Sequence, residues 1–496
     1  MYIGIDLGSS SIKVSLITSD GKALKTVQEP EEEMNILVPG KNWAEQNPET
    51  WWSYTCSAIA RVCDEAQIAT KEIKGIGIAY QMHGLVLIEK NGDVLRNAII
   101  WCDSRAVAIG DQAFQDIGEE VCMNEMLNSP ANFTASKLKW LQVNEPEVYQ
   151  QIHKIMLPGD FIAYKLSGKA QTTTSGLSEG VFWNFKEDKV SKILLDHYNI
   201  KKELLPEIVP TFGKQSEVSA KGEEATGIQK GTPILYRAGD QPNNAFSLNV
   251  LNPGEVAVTG GTSGVLYAVT ESMVSTEGVK LNNFAHVNHD PQHPRIGKLL
   301  CINGCGIQYR WLKEQLGFKE DAYEQMNQLA SSVPIGADGV VCIPFGNGAE
   351  RMLNNKIVGT HYLNLNLPVH NKSHLCRATL EGIAFTFVYG MELLKKDNSA
   401  INLIRAGSDN LFRSQIFAET IATLTGQEIE VYNTTGAIGA ARAAGLTLGT
   451  IKSMKDLVLK EDYVKTYKPL TTKKEYQKAY TRWRKALDIY NTSHNE

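Results

Sequence analysis

The sequence predicts an α/β protein of two domains built to one plan. Three observations point there. The chain has 496 residues, more than one hydrophobic core usually covers. A strand, a turn of small residues and a second strand at residues 3–17 return at residues 256–269. Around each copy, short β-branched runs alternate with helical patterns.

Composition narrows the class. Hydrophobic residues make up 43% and charged residues 21% of the chain, as in a globular protein. A net charge of −5 argues against nucleic acid or an anionic membrane as partner. No apolar run approaches the ~20 residues that cross a bilayer. The chain opens on a strand pattern with no secretory leader, so a cytoplasmic protein is expected. Its eight cysteines are scattered. Cys301 and Cys305 lie close, but no second pair with histidine completes a zinc site, and free thiols are expected.

In chain order, the first hairpin carries Asp6, Gly8, Ser9, Ser10 and Lys13. A tight turn of small residues aims several backbone N–H groups one way and attracts anions, phosphate above all. A carboxylate beside such a cradle calls for a cation between, so Asp6 reads as a Mg²⁺ ligand acting mostly through water. An ordinary serine-rich turn is equally open from this stretch alone. Asn47-Pro48-Glu49 reads as a helix start, with Asn47 as N-cap. Strands over 73–78 and 99–101 end in two polar clusters, Gln81-Met82-His83-Gly84 and Cys102-Asp103-Ser104-Arg105. Ligands sit beyond strand ends in open α/β sheets. Gln81, Met82 and His83 suit a polyol, but a core histidine at a bend and a surface Asp103–Arg105 pair remain alternatives. Residues 172–183, rich in Thr, Ser and Gly, read as a loop or hairpin. A strand at 233–237 leads into Asp240-Gln241 and a helix.

A boundary falls near 252–254, giving domains 1–250 and 251–496. The second hairpin has Thr259 where the first has Asp6, and its turn is Gly261-Thr262-Ser263. Gly304 and Gln308 open a further helix, 343–348 reads as a loop, and 374–394 as a long apolar helix. A strand at 403–405 runs into Gly407-Ser408, where a strand–glycine–helix junction can admit an adenine ring or phosphate. Helices follow at 412–425, 436–446 and 471–489. If the two hairpins hold a nucleotide between them, Asp240 stands near its terminal phosphate. A carboxylate there can take the proton of an attacking hydroxyl. The competing reading is a helix N-cap.

Taken together, these residues resemble the FGGY family of carbohydrate kinases. The resemblance spans essentially the whole chain. Residues 5–10 are similar to the family's first phosphate motif, 43–48 to its WxEQDP segment, 261–264 to its second phosphate loop, and 377–382 to part of its C-terminal signature. It implies two ribonuclease-H-like domains of the actin/Hsp70/hexokinase type with an interdomain cleft, and transfer from Mg²⁺-ATP to a sugar. Gln81-Met82-His83-Gly84 and 101–105 are similar to the branch that phosphorylates D-xylulose. That implies Met82-His83 on the sugar and Asp240 as proton acceptor, with Asp6 and Asp240 on the metal side.

Departures are visible. Asp240-Gln241, and Gly304 with Gln308, are similar instead to the glycerol branch, in which the matching Gly and Gln line the nucleotide. Residues 172–175 replace an expected Asp-x-Ser, and 359–365 stretch the signature. Another ketose, polyol or sugar acid is therefore a further expectation, and an actin-like ATPase switch is the reading from a different class. A homodimer is permitted.

Overall fold

The computed structural model describes residues 1–319, 322–408 and 410–492. The first sheet contains β1 (Tyr2–Leu7), β2 (Ile12–Ile17), β3 (Ala23–Glu29), β4 (Ile76–Tyr80), β5 (Phe212–Glu217) and β6 (Pro233–Gly239). Their order is β5-β6-β4-β1-β2-β3. β1, β2 and β3 form an antiparallel meander, while β4 runs parallel to both β1 and β6. Helix α1 (Pro48–Ala66) covers one face; its Asn47 cap accepts from the Glu49 N–H at 2.9 Å, and Pro48 occupies the first turn. Helix α2 (Asp240–Ser247) starts directly where β6 ends.

The second sheet repeats the plan. It holds β7 (Glu255–Gly260), β8 (Gly264–Thr270), β9 (Asn282–Ala285) and β10 (Ile296–Ile302). After a separate ribbon of β11 (Val341–Phe345) and β12 (Gly359–Leu363) come β13 (Leu403–Gly407), β14 (Ile429–Tyr432) and β15 (Tyr463–Tyr467). The order is β9-β10-β8-β7-β13-β14-β15. β7, β8 and β10 reproduce the meander, and β13 and β14 are the parallel strands. The expected architectural repeat is therefore present strand for strand, with β9 added at one edge. The remaining helices include α3 (Gly306–Gln315), the long buried α4 (Lys372–Lys396), α5 (Gln415–Thr425), α6 (Gly436–Thr447) and α7 (Lys473–Thr492).

Helix α6 departs from the simple division of the chain at 250. It follows the second domain's strands in sequence but packs on the first sheet, against β1, β4 and β2. Its face is Ala437, Ala440, Ala441 and Ala444, all buried. The sheet beneath it is glycine. A Cβ on Gly4 would stand 1.8 Å from the Ala437 carbonyl oxygen, and one on Gly77 would stand 1.9 Å from that of Ala440. The two backbones touch because neither surface carries a side chain there.

Two segments differ from expectation. Residues 172–183 contain a strand, Gln171–Thr173, and a helix, Thr174–Glu179, capped by the Thr173 hydroxyl. Its Ser175 hydroxyl donates to the Ala285 carbonyl at 3.0 Å, and the Ser178 hydroxyl accepts from the Ala285 N–H at 2.9 Å. These bonds to β9 make the helix an interdomain element. Residues 343–345 are strand rather than loop, the proline being tolerated in a two-stranded ribbon. The 412–425 pattern splits into a 3₁₀ turn and α5. All eight cysteines are free. Among the described residues, no helix is long and apolar enough to cross a membrane.

Gly77→Val forces side-chain carbons into the α6 backbone. It should cost at least ~2 kcal/mol and lower the thermal midpoint of the purified protein. An unchanged midpoint would show that α6 can lift from the sheet.

Candidate active site

The carboxyl ends of β1, β4 and β6 converge, and the polar residues at those ends form the site. Gly8 closes the β1–β2 turn, its N–H donating to the Ser11 carbonyl at 3.0 Å. Ser9 is held from outside the hairpin. Its carbonyl accepts from Gln46 Nε2 at 2.7 Å, and its hydroxyl accepts from Trp101 Nε1 at 3.3 Å. Gln46 Oε1 in turn accepts from Gln81 Nε2 at 3.3 Å and from Trp51 Nε1 at 3.2 Å. Ser9, Gln46 and Gln81 therefore form one chain of bonds from the turn to the β4 cluster. Gln81 Oε1 is buried with no hydrogen-bond partner among the described residues, an acceptor left open.

Met82 and His83 follow the end of β4. Met82 is buried against Gly239. His83 takes a left-handed backbone, φ 61°, strained for a residue with a Cβ. Its ring packs edge-on to Phe133 and tilted against Phe284, with centroids 4.8 and 5.2 Å away. Nδ1 is 2.9 Å from the Glu179 carbonyl oxygen, so that nitrogen carries the proton. Burial, then the Lys137 charge, pushes the imidazole down to about 3. It is neutral at physiological pH and offers one donor and one acceptor.

Lys137 is fully buried on the helix Thr134–Asn144. Its ammonium donates to the His83 carbonyl at 3.0 Å and the Ile100 carbonyl at 2.9 Å. One side chain thus clamps both strand-end clusters. Burial lowers its pKa to about 8, against the opposing pull of Asp103. Asp103 itself differs from expectation. It is fully buried, one oxygen accepts from the Ala44 N–H at 2.6 Å, and both oxygens accept from Arg105. Arg105 stacks on Trp43 and Trp140. The Asp103–Arg105 pair is internal rather than at the surface, and its carboxylate braces the site instead of facing a ligand.

Asp6 and Asp240 are the two half-open carboxylates of the cleft. Burial raises Asp6, with Lys13, its cross-strand partner, opposing. Burial and then the Asp6 charge push Asp240 up to about 7, while Gln241 draws it down. Gln241 therefore addresses the Asp240 carboxylate. Below them is Glu179, which sequence reasoning missed. It is fully buried, and burial plus the Asp240 charge hold it well above the usual carboxylate range. Its Oε1 accepts weakly from the His83 N–H at 3.4 Å, and Oε2 has no hydrogen-bond partner.

The pairing of Asp6 and Asp240 fits a divalent cation. The Asp6 charge disfavours ionisation of Asp240, and among the described residues neither carboxylate has a salt-bridge partner. Among the described residues there is no cluster of three His, Cys, Asp or Glu side chains. Two carboxylates are a donor set that suits Mg²⁺, which keeps much of its water and takes one or two carboxylates plus phosphate oxygens.

The second domain contributes the opposite wall. The Gly261-Thr262-Ser263 turn links β7 to β8, and its Gly261 and Thr262 carbonyls accept from the Gly306 and Ile307 N–H groups, both at 3.0 Å. This ties the turn to the start of α3. Gly304 and Gln308 are already engaged internally. The Gly304 N–H donates to Glu350 at 2.8 Å, and Gln308 Oε1 accepts from the Thr360 hydroxyl at 2.6 Å. Gly407 and Ser408 stand at the end of β13, the Ser408 N–H donating to the Tyr432 carbonyl at 2.8 Å; Asp409 lies outside the described residues. Cys301, on β10, lies within the field of Asp240, which brings the two domains together at the base.

Lys137→Met leaves the His83 and Ile100 carbonyls unpaired. It should cost about 2 kcal/mol or more, read by urea denaturation. Because the native pKa of Lys137 is lowered, the native state binds fewer protons than the unfolded one between about 8 and 10. The margin of wild type over Lys137→Met should widen as pH rises through that window, and a margin independent of pH would remove the assignment.

Comparison with known proteins agrees with this architecture. The N-terminal domain model of the FGGY family of carbohydrate kinases matches residues 1–247, and its C-terminal domain model matches residues 256–448. The chain is 30% identical over 461 residues to the xylulose kinase of Haemophilus influenzae, covering 90% of this chain and 91% of that one. It is 27% identical over 465 residues to the Escherichia coli xylulose kinase, covering 92% of each. The crystal structure of xylulose kinase from Rhodospirillum rubrum superposes with a TM-score of 0.88 at 23% identity, covering 98% of each chain. With two family-model domains on two sheets of repeated topology, and the site where they meet, the chain belongs to the FGGY family of carbohydrate kinases.

Proposed function

We propose that this enzyme transfers the γ-phosphoryl group of ATP to the 5-hydroxyl of D-xylulose, with Asp240 as general base. The observation that carries the reading is the placement of Asp240. It opens α2 directly after β6, next to Gly239, against which Met82 packs, and its carboxylate is coupled electrostatically to Asp6 and Glu179. The names of the relatives support D-xylulose as the acceptor.

The residues divide the work by chemistry. Met82 offers an apolar surface to the carbon skeleton. Neutral His83 and the unpaired Gln81 Oε1 offer hydrogen bonds to hydroxyls. The turns at Ser9-Ser10 and Gly261-Thr262-Ser263 would bring backbone N–H groups to the phosphates, the Gly8 N–H being taken by the Ser11 carbonyl. Asp6 and Asp240 would hold Mg²⁺, which when bound neutralises charge on the phosphate oxygens. As the sugar oxygen forms its bond to Pγ, its proton passes to the Asp240 carboxylate. The bond from Pγ to the bridging oxygen breaks, and ADP leaves with that electron pair. Positioning and charge compensation supply most of the acceleration, so the base needs only moderate strength.

ADP release should be stimulated by D-xylulose above D-ribulose, glycerol, gluconate and hexuloses; absence of turnover with any of them would overturn the kinase reading. Asp240→Asn should lower kcat by about 10²–10⁴-fold. In the free enzyme kcat/KM should rise with pH to a plateau above about 7, where Asp240 is ionised. The raised native pKa also predicts a stability effect. The protonated carboxyl is favoured on folding, an advantage complete at low pH and lost as pH rises through about 7. Asp240→Asn should therefore raise the melting temperature at pH 8 and leave it unchanged near pH 4.

A further inference from the structure

Arg351 is the cation of the cleft that the reading above leaves without a task. It begins a 3₁₀ turn, Arg351–Leu353, that packs on β10. The preceding Glu350 is fully buried and accepts from the Asn303 and Gly304 N–H groups at 3.2 and 2.8 Å. Those residues lead directly into Gly306 and Ile307, which are bonded to the Gly261-Thr262 turn. The arginine therefore rides on the same rigid piece as the second phosphate turn.

Its guanidinium has no carboxylate partner among the described residues. Nε is buried without any hydrogen bond. The charge nevertheless acts across the domain boundary. It depresses the proton affinity of His83 in the first domain and favours the thiolate of Cys301, the β10 residue that also feels Asp240. A half-buried guanidinium without a counter-charge is costly, and one carried on the segment that holds the second phosphate turn calls for an anion. The sugar motif supplies none, since Met82, His83 and Gln81 are neutral. The group that brings negative charge into this space is the phosphoryl in transit, with charge spread over its three equatorial oxygens.

We propose that the Arg351 guanidinium takes the equatorial oxygens of the phosphoryl group as it passes from ATP to the sugar, and then holds the product phosphate. The inference rests on the kinase reading. Bond changes are those already given: the arginine gains and loses no proton, and donates hydrogen bonds that strengthen as the charge develops. An arginine supplied from the enzyme's own second domain would join closure of the cleft to acceleration of transfer.

The test uses the full-length enzyme with Arg351→Ala and Arg351→Lys, and measures binding and rate separately. By calorimetry without nucleotide, Arg351→Ala should keep its affinity for D-xylulose within about threefold and lose about 10- to 100-fold for D-xylulose 5-phosphate. Its kcat should fall about 10²–10³-fold, with partial rescue by added guanidinium ion. Arg351→Lys should fall between, because an ammonium keeps the charge but not the planar fork. The melting temperature should not drop, since an unpaired charge is removed. Equal loss of affinity for sugar and sugar phosphate would overturn the inference, placing the arginine on sugar hydroxyls. An unchanged kcat with unchanged product affinity would overturn it as well, as would a fall in melting temperature with no guanidinium rescue. Wild-type enzyme inert toward every sugar would instead strike at the kinase reading, and the two failures are distinguishable.

Discussion

The contact on which the remaining structure depends is the one between bare backbones, where α6 lies on Gly4 and Gly77. No side chain separates the helix from the sheet, so its height over β1 and β4 is fixed by van der Waals radii alone. That height sets the start of the helix beside Asp6: a Cβ on Gly436 would stand 2.4 Å from Asp6 Oδ2. Asn243, on the helix that Asp240 opens, donates to the Gly436 carbonyl at 2.9 Å. One packing decision thus places both carboxylates of the cleft and joins a late segment of the chain to its earliest strand.

Within the cleft the dominant physical theme is burial of charge against incomplete compensation. Asp6, Asp240 and Glu179 are all raised by desolvation. Lys137 and Arg351 are both lowered by it. Buried ions elsewhere are matched within the protein, as in Lys298–Asp397 and Arg377–Glu381. Around Asp240 the matching is incomplete: Asp103 has Arg105 and Asp160 has Arg237, but Asp6, Asp240 and Glu179 have no salt-bridge partner among the described residues. A fold tolerates such groups where a ligand completes the set, and the contrast between the two regions marks the functional cleft as clearly as any motif.

Much of this was legible from residues alone, and the exceptions share a cause. The two hairpins, and the places of Asp240 and Met82-His83 just past strand ends, announced themselves because a β-branched run followed by a polar residue marks a strand end, whatever packs around it. Asp103 was misjudged because its sequence context cannot show Arg105 folding back over it between Trp43 and Trp140. Glu179 was missed because Thr, Ser and Gly around it read as a loop, while tertiary bonds to Ala285 stabilise a helix there. Lys137 opens a clear helical pattern at 137–141 that carries no sign of its burial, and Arg351 lies beside a stretch read as loop. Each matters through burial by distant segments, and burial of a polar residue has no local signature. Lysine and glutamate are ordinarily exposed, so only three-dimensional packing reveals these two as interior.

The chain of bonds from Ser9 through Gln46 to Gln81 has a thermodynamic consequence. The phosphate turn and the sugar motif share a rigid connector, itself anchored by Trp51. Order imposed at one end is inherited by the other, so the entropy lost in fixing the turn is not lost again when the second ligand arrives. Linkage makes any such coupling reciprocal: each ligand then changes the affinity of the other by the same factor. On the kinase reading proposed above, the Gln46 amide joins the two sites, so that occupancy of either bears on the other.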